Sequence, residues 1–221
     1  MTTASTKSAV SGGASPIANG KDTSVLNVTL GRTMTGMASQ ISVASQPAGV
    51  QVASVLDNGN GNYQVSVASA KAGIYRVLVL VAGSPVGNAT VNFIGGAVGS
   101  AVISSGAVQN FTGSGFMPGE LVTVTVHSSP IQIAKLTADM NGQVKASFTI
   151  PAGFESGAHT VVFKGERSGS VSVPFKVSGI AVTTGGRVAN DNGLAGWLGL
   201  WVMAVVAAGA LIGRRRQQFA S

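Results

Sequence analysis

The sequence has no cysteine and few aromatic or charged residues. Without Cys among its 221 residues, a disulfide framework, a thiolate-ligated zinc site and a cysteine nucleophile are all excluded. Aromatic residues make up 5% and charged residues 10% of the chain, whereas 45% are hydrophobic and 31 are Gly. We therefore expect an aliphatic core and frequent turns. Disorder throughout is excluded, because the mean hydropathy of +0.38 means that there is ample apolar surface to bury.

Basic charge is not concentrated in the body of the chain. The formal net charge is +7, but Arg214, Arg215 and Arg216 supply three of these charges. The other charges lie singly, without a basic run and without interleaved aromatic residues for base stacking. We therefore expect no nucleic-acid partner.

The sequence also lacks the short motifs of common catalytic and metal sites, namely GxSxG, HExxH, the P-loop and a complete EF-hand loop. The seven acidic residues are scattered and offer no glycosidase pair. His127 points away from the apolar set of its strand, whereas His159 shares the parity of Val161 and Phe163. We expect a surface His127 and a structural His159, and we predict no enzymatic activity, cofactor or metal.

What the sequence does contain is alternation of apolar and polar residues. Val recurs and usually alternates with Ser or Thr, a pattern that favours β-strands over helices. Turn signals at 58–62, 71–73 and 83–85 give roughly six or seven strands in about 80 residues, the density of a β-sandwich. The apolar sets of this first half are Leu26, Val28 and Leu30; Tyr63, Val65 and Val67; Tyr75, Val77, Val79 and Val81; and Ala89, Val91 and Phe93.

The same pattern returns after the Gly-rich stretch 95–100, which we predict to be a linker. Asp139 stands where Asp57 does and His159 where Tyr75 does, with separations of 20 and 18 residues. Two copies of one architecture explain this better than a single large domain. The apolar sets of the second copy are Val122, Val124 and Val126; Val144, Ala146, Phe148 and Ile150; Val161 and Phe163; and Val171, Val173, Phe175 and Val177.

The first copy, about residues 20–94, resembles the Ig-like repeats of invasin- and intimin-type bacterial surface proteins. The shared order is an Asp/Asn-Gly turn, a Tyr-x-Val strand, a Lys-Ala-Gly corner and a Tyr-x-Val-x-Val strand. The resemblance implies an Ig-like sandwich with structural tyrosines. Tyr75, at a strand start shortly after Gly73, is expected to form a tyrosine corner.

The second copy, about residues 106–177, is similar to a repeat of actinobacterial surface-anchored proteins. Its marks are Gly-Phe-x-Pro-Gly-Glu at 115–120, the following Val-x-Val-x-Val-His-Ser strand and the closing Gly-x-His-Thr. This resemblance implies architecture and a surface location, with no catalytic activity attached.

The chain ends in a candidate membrane anchor. Residues 194–213 carry no charge, and a helix of that length spans roughly 30 Å. Trp197 and Trp201 lie where an aromatic belt would sit at the outer interface, and Arg214, Arg215 and Arg216 place the C-terminus in the cytoplasm. The alternatives are a buried helix of a soluble fold and a tail-anchored protein that faces the cytoplasm.

The order Thr-Gly-Gly, spacer, apolar span and Arg-Arg-Arg resembles a cell-wall sorting signal of Gram-positive bacteria. There a sortase cuts between Thr and Gly and joins the Thr to peptidoglycan, and the matching residues are Thr184 and Gly185. The pentapeptide reads Ala-Val-Thr-Thr-Gly, without the Leu and the Pro or Ala of an LPxTG or LAxTG motif. Wall attachment and retention in the membrane are therefore both open.

The first 20 residues have no apolar region of the kind that a signal peptide needs. We expect either a C-terminal piece of a longer exported protein or a misassigned start.

These patterns together predict an all-β protein of two tandem Ig-like β-sandwich domains followed by a single C-terminal transmembrane helix. The function predicted is non-enzymatic display at a bacterial surface, as part of an adhesin or stalk with an extracellular protein or glycan ligand. The alternative is an accessory module of a larger exported hydrolase. The predicted segments are a disordered 1–20, the sandwiches 21–96 and 97–178, the polar sorting region 179–193, the helix 194–213 and the cytoplasmic tail 214–221.

Overall fold

The computed structural model describes residues 9–10, 15–31, 34–128 and 130–179. Within them the only helical element is the 3-10 turn Ala38–Gln40, so the all-β prediction is confirmed for this part of the chain. The strands, in chain order, are β1 Ala9–Val10, β2 Thr23–Thr29, β3 Ile41–Gln46, β4 Val50–Asp57, β5 Asn62–Ser69, β6 Gly73–Val81, β7 Ser84–Phe93, β8 Gly95–Val98, β9 Val102–Ser104, β10 Val108–Ser114, β11 Leu121–His127, β12 Ile131–Thr137, β13 Val144–Thr149, β14 Gly157–Gly165 and β15 Gly169–Ser178.

Strands β1 to β7 form two sheets, which we call the first sandwich. One sheet has the order β1-β2-β5-β4 and the other the order β3-β6-β7. All neighbouring strands are antiparallel. This is the ABED and CFG strand order of an immunoglobulin constant-type domain, so the strand order itself shows an Ig-like fold.

Strands β8 to β15 form the second sandwich, with one sheet of order β13-β10-β8 and another of order β12-β11-β14-β15-β9. Its strand β12 pairs with the preceding strand β11, whereas β4 of the first sandwich crosses to the other sheet to pair with β5. Strand β9 runs parallel to β15 while β8 pairs with β10, so the first strand of this sandwich is split between the two sheets.

Each sandwich encloses its own apolar core between its two sheets. Tyr63, Val65 and Val67 are at most 1% exposed, while the intervening Gln64 is exposed. The equivalent alternation in β11 leaves its three valines fully buried. Because each buried Val, Leu or Phe side chain contributes about 1.5–3 kcal/mol, these inward sets decide which face of every strand turns inside.

Part of the segment 1–20, predicted to be disordered, completes the first sandwich. Ala9–Val10 pairs with Asn27 and Leu26, and Ile17 forms a parallel bridge with Ile94. This repeats the split first strand of the second sandwich. The sequence gives little warning, because a two-residue strand and an isolated bridge are too short to show a period.

Stretch 95–98, predicted to belong to a linker, is strand β8. A Cβ on Gly96 would lie 2.6 Å from Val173 Cγ2 and 3.0 Å from the ring of Phe163. Here Gly permits close approach of a strand to the core rather than flexibility. As a result β7 continues through Ile94 directly into β8.

Among the described residues, no helix is long and apolar enough to cross a membrane. The predicted membrane helix 194–213 lies outside the described residues.

Candidate functional site

All residues that the sequence nominated for sorting or anchoring lie outside the described residues, and those predictions stay predictions: Thr184, Gly185, Trp197, Trp201, Arg214, Arg215 and Arg216. Among the described residues, buried side chains with several hydrogen bonds lie at one corner of each sandwich. A buried carboxylate lies near the point where the sandwiches meet.

The corner of the first sandwich is formed by Tyr75, as predicted. Its hydroxyl donates to the carbonyl oxygen of Lys71, four residues upstream, at 2.7 Å, and accepts from Ser69 Oγ at 3.3 Å. The ring is 2% exposed and meets Phe93 edge-on at a centroid distance of 6.0 Å. The tyrosine corner at the start of β6 is therefore confirmed.

The corner of the second sandwich is formed by His159, which is 3% exposed. Its Nε2 lies 2.8 Å from the carbonyl oxygen of Glu155, again four residues upstream, and its Nδ1 lies 2.8 Å from Ser128 Oγ. The ring sits between Phe154 and Phe175 at centroid distances of 4.8 and 5.6 Å. The predicted structural role of His159 is confirmed.

The partners of His159 fix its chemistry. A carbonyl oxygen only accepts, so Nε2 donates to Glu155, while Nδ1 shares a hydrogen bond with the Ser128 hydroxyl, which can donate or accept. A serine beside an imidazole is one element of nucleophilic catalysis, but here a peptide carbonyl takes the place of the orienting carboxylate. Both ring nitrogens are thus used to tie the corner to its neighbouring loops. The sequence did not reveal Ser128, since 31 residues separate the pair.

The two aligned aspartates both accept hydrogen bonds from the backbone of the turn that follows them. Asp57 Oδ1 accepts from the Gly59 amide at 2.8 Å, and Asp139 Oδ1 accepts from the Asn141 amide at 2.8 Å. The hairpin turn predicted at 57–61 is confirmed by the pairing of β4 with β5, whereas the turn after Asp139 joins strands β12 and β13 of different sheets. Within the part of the chain that the structure describes, no three His, Cys, Asp or Glu residues converge as metal ligands would.

Glu120, the last residue of the Gly-Phe-x-Pro-Gly-Glu motif, is only 2% exposed. Its Oε1 accepts from the Met117 amide at 2.8 Å and from the Ser168 hydroxyl. Its Oε2 accepts from the Arg167 and Ser168 amides at 2.9 and 3.1 Å. One carboxylate therefore joins the β10–β11 loop to the β14–β15 turn.

Burial by itself would raise the pKa of Glu120, because desolvation disfavours the charged form. The hydrogen bonds from the Ser168 hydroxyl and from the backbone amides outweigh burial and lower the pKa below its usual value of 4.5. The side chain is therefore an ionised, buried acceptor. The sequence shows the motif but not this role of Glu120, because the donors of Ser168 and Arg167 are nearly 50 residues away.

The sandwiches meet at what we call the junction: residues 15–18, 70–74, 93–96, 114–118, 142 and 165–169. Ile94 donates its amide to Pro16 at 2.9 Å and accepts from the Ala18 amide at 2.8 Å. The Ser15 amide donates to the Ser168 carbonyl at 3.0 Å. Phe93 is buried in the first core and Ile94 in the second, so adjacent residues of one strand belong to both cores.

The junction is closely packed where two glycines of the second sandwich meet the first. A Cβ on Gly115 would lie 1.9 Å from the carbonyl oxygen of Phe93, and one on Gly142 would lie 3.0 Å from Ile74 Cδ1. At Gly115, which also has a φ of +80°, backbone therefore rests on backbone. Only glycine allows this approach.

A family model matches part of the chain. The family model described as macroglobulin-like domain matches residues 88–177, less than half of the chain. No curated protein sequence matches the chain.

Invasin-type and intimin-type adhesins are among the solved structures that the chain matches, as the sequence resemblance predicted. The Yersinia pseudotuberculosis adhesin InvE is 18% identical with a TM-score of 0.31, over 78% of this chain and 58% of that one. A C-terminal fragment of intimin is 17% identical with a TM-score of 0.34, over 80% and 64%. A glycosyl hydrolase family 2 member from Bacteroides cellulosilyticus is 14% identical with a TM-score of 0.31, over 73% and 24%.

The chain spans less than two thirds of the length of each of these structures. The Ig-like assignment rests on the strand order and the tyrosine corner, which are independent of these similarities. The actinobacterial character of the second repeat stays a prediction.

Proposed function

We propose that the chain is a non-enzymatic display module of a bacterial surface protein, in which two end-to-end sandwiches hold a tip away from a C-terminal anchor. The observation that carries the proposal is the direction of the chain: it enters the second sandwich at the junction and leaves it at the opposite end. Strand β15 starts beside Ser168 of the junction and finishes at Ser178, which pairs with Ser104.

The first sandwich has its free end, which we call the tip, on the side away from the junction. Strand β6 starts in the junction at Gly73, so the β6–β7 turn at 82–83 lies at the far end, with the loop 31–40 and the turn 58–61. The tip and Ser178 are thus at opposite poles of the described residues. A ligand site at the tip would lie at the pole opposite Ser178.

Three backbone groups of the tip, at residues 34, 36 and 37, are held by side chains. Tyr63 donates its hydroxyl to the Met34 carbonyl at 2.7 Å and accepts from the Met37 amide at 3.0 Å. Asp57 Oδ2 accepts from the Gly36 amide at 3.0 Å. A preorganised loop loses less conformational entropy on binding.

A shallow depression beside this loop is lined by Thr29, Leu30, Asn60 and Asn62. Hydroxyl and amide groups can both donate and accept, which suits the polar surface of a protein or glycan ligand. The anchor itself is supported by the uncharged run 194–213 with its flanking Trp and Arg residues, and sorting by Thr184 and Gly185.

Protease shaving of intact Gram-positive cells that produce the full chain tests display. Loss of the sandwiches at the rate of a known surface protein is expected. Survival of the sandwiches while that protein is digested would show a cytoplasmic location and overturn the proposal.

Fractionation of the same cells into wall and membrane then tests the anchor. Sortase-dependent protein in the wall fraction, abolished in Thr184→Ala, would show attachment to peptidoglycan. Complete extraction of both the wild type and Thr184→Ala by detergent would show a membrane anchor with an unprocessed Ala-Val-Thr-Thr-Gly.

A further inference from the structure

We propose that Glu120 is the positioning residue that fixes the angle between the two sandwiches. The inference deepens the proposed display function, since a tip is held away from an anchor only if the module between them does not bend. Its basis is the path of hydrogen bonds and contacts from the carboxylate to the first sandwich.

The first step of this path lies within the second sandwich. The β10–β11 loop and the β14–β15 turn are 48 residues apart in sequence and are joined by the two oxygens of Glu120. Ser168 reinforces the link, since its hydroxyl donates to Glu120 and also accepts from the Met117 amide at 3.0 Å. Arg167 Nη2 reaches the Pro118 carbonyl of the same loop at 3.4 Å.

The second step leads from these two segments to the first sandwich. Gly115, five residues before Glu120, rests on the carbonyl of Phe93 and lies near the Gly73 amide. Ser168 accepts the Ser15 amide through its carbonyl oxygen. Both segments that the carboxylate joins therefore touch the first sandwich, one on β7 and one on the N-terminal stretch.

A carboxylate suits this position better than its neutral analogue. Both oxygens of Glu120 only accept, and every partner named above donates to them. In Glu120→Gln the amide NH2 would face either Arg167 and Ser168 or Met117, setting donor against donor. The shape of the side chain is retained, so the substitution tests the hydrogen bonds and not the volume.

The absence of natural cysteine makes a direct measurement straightforward, because two introduced cysteines are the only labelling sites. The full chain is purified in detergent and spin-labelled at Asn88→Cys and Ser172→Cys, exposed positions on either side of the junction. A second pair, Lys145→Cys and Ser172→Cys, reports on the second sandwich alone. The width of each distance distribution is measured by pulsed electron paramagnetic resonance.

Three substitutions are compared on this background. Glu120→Gln removes the proposed device, and Gly115→Ala places a methyl group against Phe93. Gly153→Ala is the matched control, because Gly153 has a similar φ of +83° but no atom within 4 Å of a Cβ. It therefore carries the backbone strain of an alanine without the contact at the junction.

The expected result is a distribution across the junction about twofold wider in Glu120→Gln and Gly115→Ala, since adjoining domains move relative to each other unless an interface prevents it. Gly153→Ala should keep the wild-type width, and the pair within the second sandwich should be unchanged in all variants.

A wild-type width across the junction in Glu120→Gln would overturn the proposal. Equal broadening of the pair within the second sandwich would also overturn it, because Glu120 would then stabilise that sandwich and not the angle. The measurement uses purified protein, so it is independent of whether the chain is displayed on cells.

Discussion

The β2–β3 loop of the first sandwich and the β10–β11 loop of the second lie at corresponding ends of the two sandwiches, but these ends have different surroundings. In the first sandwich this end is the tip, with a long loop at 31–40 held by Tyr63 and Asp57. In the second it is buried at the junction, with a short loop held by Phe116 and Glu120. One strand plan thus presents a surface at one end of the module and docks a neighbour at the other, and the loops decide which.

At the two corners, by contrast, different side chains occupy the same structural position and make the same kind of hydrogen bond. Tyr75 and His159 lie near the start of β6 and of β14, and each donates to the carbonyl four residues upstream. The fold needs a buried ring with a donor at its far side, and either residue supplies it. Each ring also has a second hydrogen-bond partner, Ser69 Oγ at Tyr75 and Ser128 Oγ at His159.

The largest expected difference in stability between the sandwiches concerns the β10–β11 loop of the second and the β2–β3 loop of the first. Phe116→Ala should lower the free energy of unfolding of the second sandwich by about 3–5 kcal/mol, because it empties a fully buried site. Tyr63→Phe, which removes only hydrogen bonds from the loop of the first sandwich, should cost about 1 kcal/mol. Urea unfolding measures both, and equal costs would mean that the two loops are anchored alike.

A smaller change in stability is expected at acidic pH, and it concerns Glu120 of the second sandwich. Because the folded-state pKa of Glu120 is lowered, its carboxylate stabilises the fold above the usual value of 4.5, and this contribution is lost as the pH falls through the lowered value. Glu120→Gln should cost about 2 kcal/mol at pH 7 through its mismatched donors. The difference in the free energy of unfolding between the wild type and Glu120→Gln should then decrease below pH 4.5.

Thermal unfolding between pH 7 and pH 3 measures this gap. A gap that stays constant over that range would show that the ionised form of Glu120 has no special role. Asp57→Asn, which replaces a turn carboxylate of the first sandwich by an amide, is measured for comparison.

The smallest difference is expected at the corners. Tyr75→Phe and His159→Phe should each cost about 1 kcal/mol, because each removes the hydrogen bond that the ring donates to a carbonyl oxygen. The double variant should cost the sum, since the two corners lie in separate cores. Calorimetry of the single and double variants checks this, and a cost in the double variant well above the sum would show that the two corners are coupled.

Periodicity predicted the parts of the fold that depend on local sequence. The inward sets of β5, β6 and β11 are buried as their alternation indicated, and the Asp-capped turns lie where Asp-Asn-Gly and Asp-Met-Asn-Gly occur. Tyr75 could be predicted because its strand and preceding Gly are adjacent in sequence. Ser128 could not, because only the pairing of β11 with β14 brings it to His159.

The prediction of a linker at 95–100 was wrong for residues 95–98, for a related reason. Gly-Gly-Ala-Val-Gly-Ser at 95–100 has the composition of a linker, and nothing local distinguishes a flexible Gly from one against which another chain segment rests. Gly96 and Gly115 are distinguished only by Val173 and Phe93, which approach them in space.

The sequence by itself determined that this protein is built of β-strands in two copies, because alternation and turn residues act over a few positions. It also carries the case for an anchor at 194–213, which rests on composition. The tertiary structure decided where β4 and β12 pair, that residues 9–10 and 17 complete the first sandwich, and that a buried carboxylate lies beside the junction. These features depend on donors and surfaces that lie far apart along the chain and meet only when the sheets have formed.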